Sequence, residues 1–539
     1  MPARLARLRA AWLAGFAAAG LSGAAVAQAP PPASAPPPPA APAGPPEAGG
    51  ARPSGPRPGT EASERRIGAS GAEDGRRLPP DATTRHALDL PGRTLRFTAT
   101  AGSFPLTDPQ GAPQADVAYI DYRLEVPEPR ARAVTFVVNG GPGAASAWLQ
   151  LGALGPWRLP LVGDAALPSA PPEVVPNAET WLDFTDLVFI DPAGTGYSGF
   201  ARAGDEARRR LWSVEGDVRS LAEVVRRWLE RNGRVASPKF LVGESYGGFR
   251  GPRLVRALQA DQGIGIAGLV LVSPVLDFGG RSAAFDPLSL ATGLPTMAAV
   301  ARAGAGPVTR ADLAEAEGYA AGDYLVDLLR GERDVEAVAR LVERVAALTG
   351  LDPELVRRRR GRVEVGEFLR ELGRRAGGRV ASAYDATVTG PDPFPLAVAG
   401  RHPDPVLDAL VAPLTSAMTD LYGGRLGWRP EGRRYELLNR ATAREWDWGG
   451  GRGDDPPEAV RGLRTALALD VRLRVLVAHG LFDLVTPYFR TKLILDQIPG
   501  TAGGDRIRFA AWPGGHMFYA LDAPRAALRD EARAVVQAR

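Results

Sequence analysis

A serine sits where its hydroxyl could be lifted clear of its neighbours. Gly243-Glu244-Ser245-Tyr246-Gly247 follows the apolar run Phe240-Leu241-Val242 and leads into the helix-like stretch Arg253 to Leu258. A serine hydroxyl becomes a useful nucleophile only when paired with a base, and the base needs a group to orient it. The chain has four histidines, His86, His402, His479 and His516. His86 and His402 stand in polar surroundings with no strand expected to lead into them, and His479 ends the apolar run Val475 to Ala478. His516 lies in Trp512-Pro513-Gly514-Gly515-His516-Met517, a turn between the strand-like Ile507 to Ala511 and the final helix. It is the candidate general base. Asp483 closes the loop Gly480-Leu481-Phe482-Asp483 after the strand-like Leu473 to Ala478, where it could hold the other ring proton of His516. Asp470 precedes that strand and would emerge at the opposite end of a sheet. Catalysis of acyl transfer also needs backbone N–H donors for a developing oxyanion. The amide of Tyr246, next after the serine, is one. The run Ala133 to Val138, entering Asn139-Gly140-Gly141-Pro142-Gly143, offers a loop for the second.

These groups need a scaffold that presents them on one rim. A serine on a sharp strand-to-helix turn, with acid and histidine following in that order, is the arrangement of the α/β-hydrolase fold. Glycines 243 and 247 allow the tight turn. Strand-like runs appear at Leu95–Thr100, Ala118–Leu124 and Val134–Val138, and parallel-sheet runs at Asp186–Ile190, Phe240–Val242, Gly268–Val272, Leu473–Ala478 and Ile507–Ala511. Ser213 to Glu230 has helical spacing, with Val214, Val218, Leu221 and Val225 on one face. Alternating strands and helices imply a mostly parallel central sheet flanked by helices. From about residue 279 to 440 the pattern turns mainly helical, with candidates at Ala311–Leu329, Val335–Leu348 and Val363–Leu372. An insertion at this place would form a cap over the site, and Trp428 and Trp446 within the chain's second half are expected in the core. The expected organisation is a core from 81 to 278, the cap from 279 to 440, and the remainder of the core from 441 to 539.

Five motifs in order resemble the serine carboxypeptidases: Asn139 to Gly143, Asp191-Pro192-Ala193-Gly194-Thr195-Gly196-Tyr197-Ser198, Glu244 to Gly248, Gly480 to Asp483, and Gly515-His516-Met517. The resemblance runs from about residue 130 to the C-terminus and weakens in the middle. It implies a triad of Ser245, Asp483 and His516, an oxyanion hole from the amides of Gly141 and Tyr246, and a substrate-carboxylate site made by Asn139 and Glu244. Glu244 could bind a carboxylate only as the protonated acid, so activity is expected to favour acid pH. The chain departs from the family in three places. Val137 and Ala153 stand where many members have Trp and Glu groups that help to bind the carboxylate, and Ala144 stands where a disulfide-forming Cys is common. The same triad could therefore serve an esterase or acyltransferase, and a catalytically inactive binding protein is the least expected alternative.

Composition narrows the rest. The 539 residues carry a formal charge of +4 and no cysteine, which excludes disulfides and thiolate metal sites. The scattered histidines offer no metal constellation, and Gly140 to Gly143 lacks the Lys-Ser/Thr of a phosphate loop. No cofactor, metal or nucleic-acid partner is expected; peptides are the expected substrates. Residues 1–27 read as a signal peptide, with Arg4, Arg7 and Arg9, an apolar stretch to about Leu21, and Ala25-Val26-Ala27 for cleavage. Export to the periplasm or beyond, with no stable membrane insertion after cleavage, follows as an expectation. Residues 28–80, rich in Pro, Ala and Gly, read as a mobile tether. Nothing in the pattern fixes an oligomeric state.

Overall fold

The computed structural model describes residues 78–163, 166–201, 206–279, 286–395, 402–449 and 457–538. The leader and nearly all of the tether expected from the sequence lie outside the described residues.

A 10-stranded sheet forms the centre. Its strands are β1 (Ala82–Leu90), β2 (Arg93–Thr107), β3 (Pro113–Leu124), β4 (Val134–Val138), β5 (Asp186–Ile190), β6 (Lys239–Glu244), β7 (Gly268–Val272), β8 (Arg474–Gly480) and β9 (Ile507–Trp512), with the short Gly199–Phe200 beside β3. The order is β1-β2-β3-β5-β4-β6-β7-β8-β9. The first three strands and the β3–β5 pair are antiparallel, and every pair from β5 to β9 is parallel. The parallel strands β4, β5 and β7 are buried along their whole length, which is why they read as continuous apolar runs rather than alternating ones. This is an α/β-hydrolase fold.

Two apolar layers cover the sheet. On one face, helix α1 (Val214–Arg231) and helix α2 (Tyr246–Asp261) pack with Val134, Phe136 and Val138 of β4 and Leu269 and Leu271 of β7. The alternate residues, Val137, Val270 and Val272, join the other layer with Leu528 and Ala532 of the C-terminal helix Asp522–Gln537. Helix α1 starts where the sequence places it, because the Ser213 side chain accepts a hydrogen bond from Gly216 N.

Between β7 and β8 the chain is mainly helical, including Pro287–Ala303, Ala314–Ala321, Asp323–Arg330, Val335–Thr349, Val365–Arg375 and Leu407–Asp420. The first five of these bury an apolar cluster that also includes Leu481, Phe482 and Leu484 from the loop after β8, while Leu410, Leu414 and Met418 of the last join the layer of the C-terminal helix. The single helix expected over Ala311–Leu329 is two, broken at Gly322. Trp428 and Trp446 are buried.

One reading from the sequence is corrected. His86 does have a strand around it: it lies in the middle of β1, opposite Phe97 in β2, with the two rings stacked at 5.4 Å. Exposed Thr83, Arg85, Ala87 and Asp89 alternate there with the more buried Thr84, His86, Leu88 and Leu90, because β1 is an edge strand with one solvated face.

Candidate active site

The site grows from the end of β6. Ser245 has φ +59° and ψ −117°, far from the backbone regions open to ordinary L-residues, and helix α2 begins at the next residue. The turn is tight enough to require its glycines. A methyl group on Gly243 would lie 2.1 Å from the carbonyl oxygen of Gly247, and one on Gly247 would lie 2.7 Å from that of Val138. Ser245 N donates to Val272 O at 2.9 Å, and Val275 N donates to Ser245 O at 3.1 Å, so the elbow is fixed to the end of β7. Its side chain is half-buried, and its hydroxyl makes no hydrogen bond among the described residues.

The loops after β8 and β9 meet beside it. His516 Nδ1 stands 2.7 Å from Asp483 Oδ2. That carboxylate also accepts the hydroxyl of Thr486 on Oδ2 at 2.5 Å, and the amides of Val485 and Thr486 on Oδ1 at 2.8 and 3.0 Å. Four donors fill it, so the proton between the pair belongs on Nδ1 and the lone pair is left on Nε2. Both side chains are buried. Burial works to raise the Asp483 carboxyl, but His516 and the Thr486 donors outweigh it and hold it below the usual range. Burial likewise works to lower His516, but Asp483, with help from Glu244, raises it above the ordinary imidazole value.

Ser273 ties these loops to the elbow. It has a left-handed backbone, φ +43°. Its N–H donates to Ala478 O at 2.7 Å, and its hydroxyl donates to His516 O at 2.8 Å. A segment from the helical region braces the same place: Tyr384 O accepts from His516 N at 2.5 Å, and the Tyr384 ring stands edge-on to the imidazole at 5.3 Å.

The loop after β4 closes the other side. A Cβ on Gly140 would fall 2.5 Å from Tyr246 N, so this loop can approach the elbow only through a glycine. Tyr246 N–H is the first amide of α2 and has no acceptor within its helix. Gly141 is exposed and its N–H makes no hydrogen bond among the described residues. The loop of Gly140 and Gly141 thus lies against the start of α2, with the amides of Gly141 and Tyr246 unpaired among the described residues. Asn139 is buried, and its amide is oriented by Leu149 N, which donates to Oδ1 at 3.1 Å. The Asn139 Nδ2 then donates to Glu244 Oε2, while Tyr519 Oη donates to Glu244 Oε1 at 2.7 Å. Burial pushes the Glu244 carboxyl up to about 7, against the lowering effects of His516, Tyr519 and Asn139.

The fold therefore brings Asp483 to His516 and Asn139 to Glu244, and sets the Gly140 backbone against Tyr246. Tyr519, Thr486, Ser273 and Arg250 are contributors that sequence reasoning did not name. Arg250 of α2 is buried and paired with Asp217 of α1 through Nε–Oδ2 at 2.6 Å and Nη2–Oδ1 at 3.2 Å. Its remaining Nη1 donates to the carbonyl of Asn139. His86 and His402 stand apart from this arrangement, while His479, near the end of β8, is close enough to Asp483 and His516 to feel their charges. His402 lies 3.4 Å from Asp392. His479 is buried with neither ring nitrogen hydrogen-bonded among the described residues, and burial pushes it down to about 3.

A strained serine elbow between a parallel strand and a helix, with a carboxylate–imidazole pair on the loops after β8 and β9, is the arrangement expected of the α/β-hydrolase fold. Comparison with known proteins narrows the resemblance. The family described as serine carboxypeptidase matches residues 122–287. The pheromone-processing carboxypeptidase KEX1 of Komagataella phaffii is 32% identical over 181 residues, covering 32% of this chain and 26% of that protein. The serine carboxypeptidase-like 13 protein of Arabidopsis thaliana is 29% identical over 144 residues, covering 26% of this chain and 32% of that one. The matched region thus spans only about a quarter to a third of these relatives. Among solved structures, proline iminopeptidase of Mycobacterium smegmatis gives a TM-score of 0.34 at 14% identity, covering 81% of this chain and 98% of that one. Homoserine O-acetyltransferase from Bacillus anthracis gives 0.34 at 11% identity, covering 85% and 98%.

Proposed function

We propose that this protein is a serine carboxypeptidase that releases C-terminal amino acids through an acyl-enzyme. Ser245 Oγ attacks the last peptide carbonyl, and His516 Nε2 takes its proton. Asp483 keeps the imidazole in the required tautomer and stabilises the imidazolium. The amides of Gly141 and Tyr246 receive the oxyanion. His516 then gives its proton to the departing amino acid, and water repeats the sequence to release the shortened peptide. The helical region from 279 to 440 acts as the cap that restricts entry to a chain end.

The observation that carries this reading is Glu244, a buried carboxyl next to the serine and held by Asn139. A simple esterase needs no acid there. As the protonated acid, Glu244 can donate to the carboxylate of a peptide end; as an anion it would repel that carboxylate. With its value near 7, turnover of peptides with free C-termini falls as pH rises through about 7. His516 must be neutral to act as base, so turnover also falls as pH drops through its raised value. The two limbs lie close together, so the expected profile is a narrow bell, limited by His516 on the acid side and by Glu244 on the alkaline side.

Val137 and Ala153 favour a second reading. Both are buried apolar side chains where the resembled family often has groups for the carboxylate, so an esterase or acyltransferase would use the same triad without an anchored chain end. One experiment separates the two. Purified enzyme is incubated with matched peptides carrying either a free or an amidated C-terminus, and the products are resolved by mass spectrometry. A ladder of single-residue losses from the free peptide alone is expected; equal rates on both would remove the carboxypeptidase reading. The periplasmic or extracellular location of the enzyme is part of this proposal and rests on the leader residues. Among the described residues no helix is long and apolar enough to cross a membrane.

A further inference from the structure

We propose that Tyr519 is a positioning residue that fixes the carboxyl of Glu244 for the substrate's terminal carboxylate, an inference that rests on the carboxypeptidase reading. Three observations point to it. First, the side-chain donors that reach Glu244 among the described residues are two, Asn139 on Oε2 and Tyr519 on Oε1. Each takes a different oxygen, so together they set both the plane of the carboxyl and its rotation about Cγ–Cδ. Asn139 alone would leave the group free to turn about a single contact.

Second, the fold makes room for this phenol. Tyr519 is fully buried and belongs to the short turn Phe518–Ala520, three residues after His516. Its ring lies over Gly152. A Cβ there would come within 2.7 Å of Tyr519 Cε2, so any larger residue at 152 would displace the ring. Third, the neighbouring segment Gln150–Leu154 offers Glu244 no replacement. Ala153 is buried and ends in a methyl group, and the Gln150 amide is committed to Tyr122 Oη at 2.9 Å. The polar contact that Ala153 does not make is supplied from the loop that carries the histidine. The base and the acid beside the nucleophile are thereby tied to one segment of four residues, His516 to Tyr519.

The direction of the hydrogen bond determines its effect. The phenol donates to the Glu244 anion and so favours that form. Charged and titratable groups facing Glu244 are His516, which also favours the anion, and Asp483, which opposes it; the Tyr519 phenol is the third neighbour that can ionise, and burial holds it well above its ordinary range. Removing the hydroxyl leaves Glu244 more easily protonated but less firmly held. Two changes follow for substrates with a free carboxylate. KM rises, because the carboxyl is no longer aimed, and the alkaline limb of kcat/KM moves to higher pH.

Tyr519→Phe keeps the ring over Gly152 and deletes one oxygen, which preserves the packing. Steady-state kinetics are measured across pH for wild type, Tyr519→Phe, Glu244→Gln and the double variant, on a free-carboxyl peptide and on its C-terminally blocked counterpart. In Tyr519→Phe the KM for the free peptide is expected to rise about tenfold and the alkaline limb to move up by about one pH unit, the scale of one hydrogen bond. The low kcat/KM on the blocked substrate, whose end has no carboxylate for Glu244 to hold, should change far less than that on the free peptide. In the Glu244→Gln background the pH shift must vanish, since Tyr519 acts through the carboxyl. A wild type that discriminates between the two substrates, with a Tyr519→Phe variant unchanged in KM and alkaline limb, would overturn the role of Tyr519 alone. A loss of rate equal on both substrates would also overturn it, as that marks a structural contribution. A wild type that does not discriminate would remove the carboxypeptidase reading and this inference together.

Discussion

Ser245→Ala is expected to lower kcat on peptide substrates by on the order of 10⁵- to 10⁶-fold while leaving the fold intact. The size follows from the loss of the covalent route. Without the hydroxyl, His516 has no nucleophile to deprotonate, and only binding and the two amides remain to accelerate attack by water. The structural cost is small for a separate reason. The Ser245 hydroxyl makes no hydrogen bond among the described residues, so its removal leaves no buried group without a partner. Alanine meets the same backbone strain as serine at φ +59°, so the free energy of unfolding should stay within about 0.5 kcal/mol of wild type. Turnover and urea unfolding measured on the same preparation check both halves. A variant that keeps a tenth of the activity would show that another nucleophile operates.

Arg250→Met is expected to be among the most destabilising substitutions of the core, by about 3–5 kcal/mol. Asp217 is 4% exposed, and burial already raises its carboxyl despite the guanidinium beside it. Deleting that guanidinium leaves an uncompensated buried charge and a carbonyl, that of Asn139, without its donor. The double replacement Arg250→Met with Asp217→Leu removes both charges and should recover most of the stability. It should not recover activity, because nothing then fixes the Asn139–Gly140 peptide against the elbow. Chemical denaturation and kcat/KM on the single and double variants test this. A single variant costing less than about 1 kcal/mol would show that the pair is not the brace described, and a double variant with full activity would separate it from the site.

The parts of this molecule that were legible in the sequence share one property: their structure is local. Val134–Val138, Asp186–Ile190 and Gly268–Val272 read as strands and are strands with those limits, because central parallel strands are apolar on both faces. Ser213 marked the start of α1 through a cap made within three residues. The elbow was legible from its two glycines. What stayed hidden depends on contacts across long stretches of chain. Tyr519 meets Glu244 across 275 positions, and Ser273 meets His516 across 243. A lone tyrosine or serine in a sequence gives no sign of such a partner. Arg250 was concealed differently, since an arginine in a helix ordinarily faces water and this one is held inside by Asp217. Strand β1 escaped because an edge strand with alternating polar residues looks like a loop, and the break at Gly322 because the apolar spacing continues across it.

The central claim is that Ser245 is made nucleophilic by His516 in the folded protein. A fluorophosphonate reacts with such a serine and with no ordinary hydroxyl, and the modified position can be found by mass spectrometry of tryptic peptides. Cleavage after Lys239 and Arg250 places the serine in the peptide 240–250. The phosphonyl mass is expected on Ser245 in native wild type, and to be absent after unfolding and strongly reduced in His516→Ala. Modification at another residue, or equal labelling of Ser245 with and without the imidazole, would contradict the account.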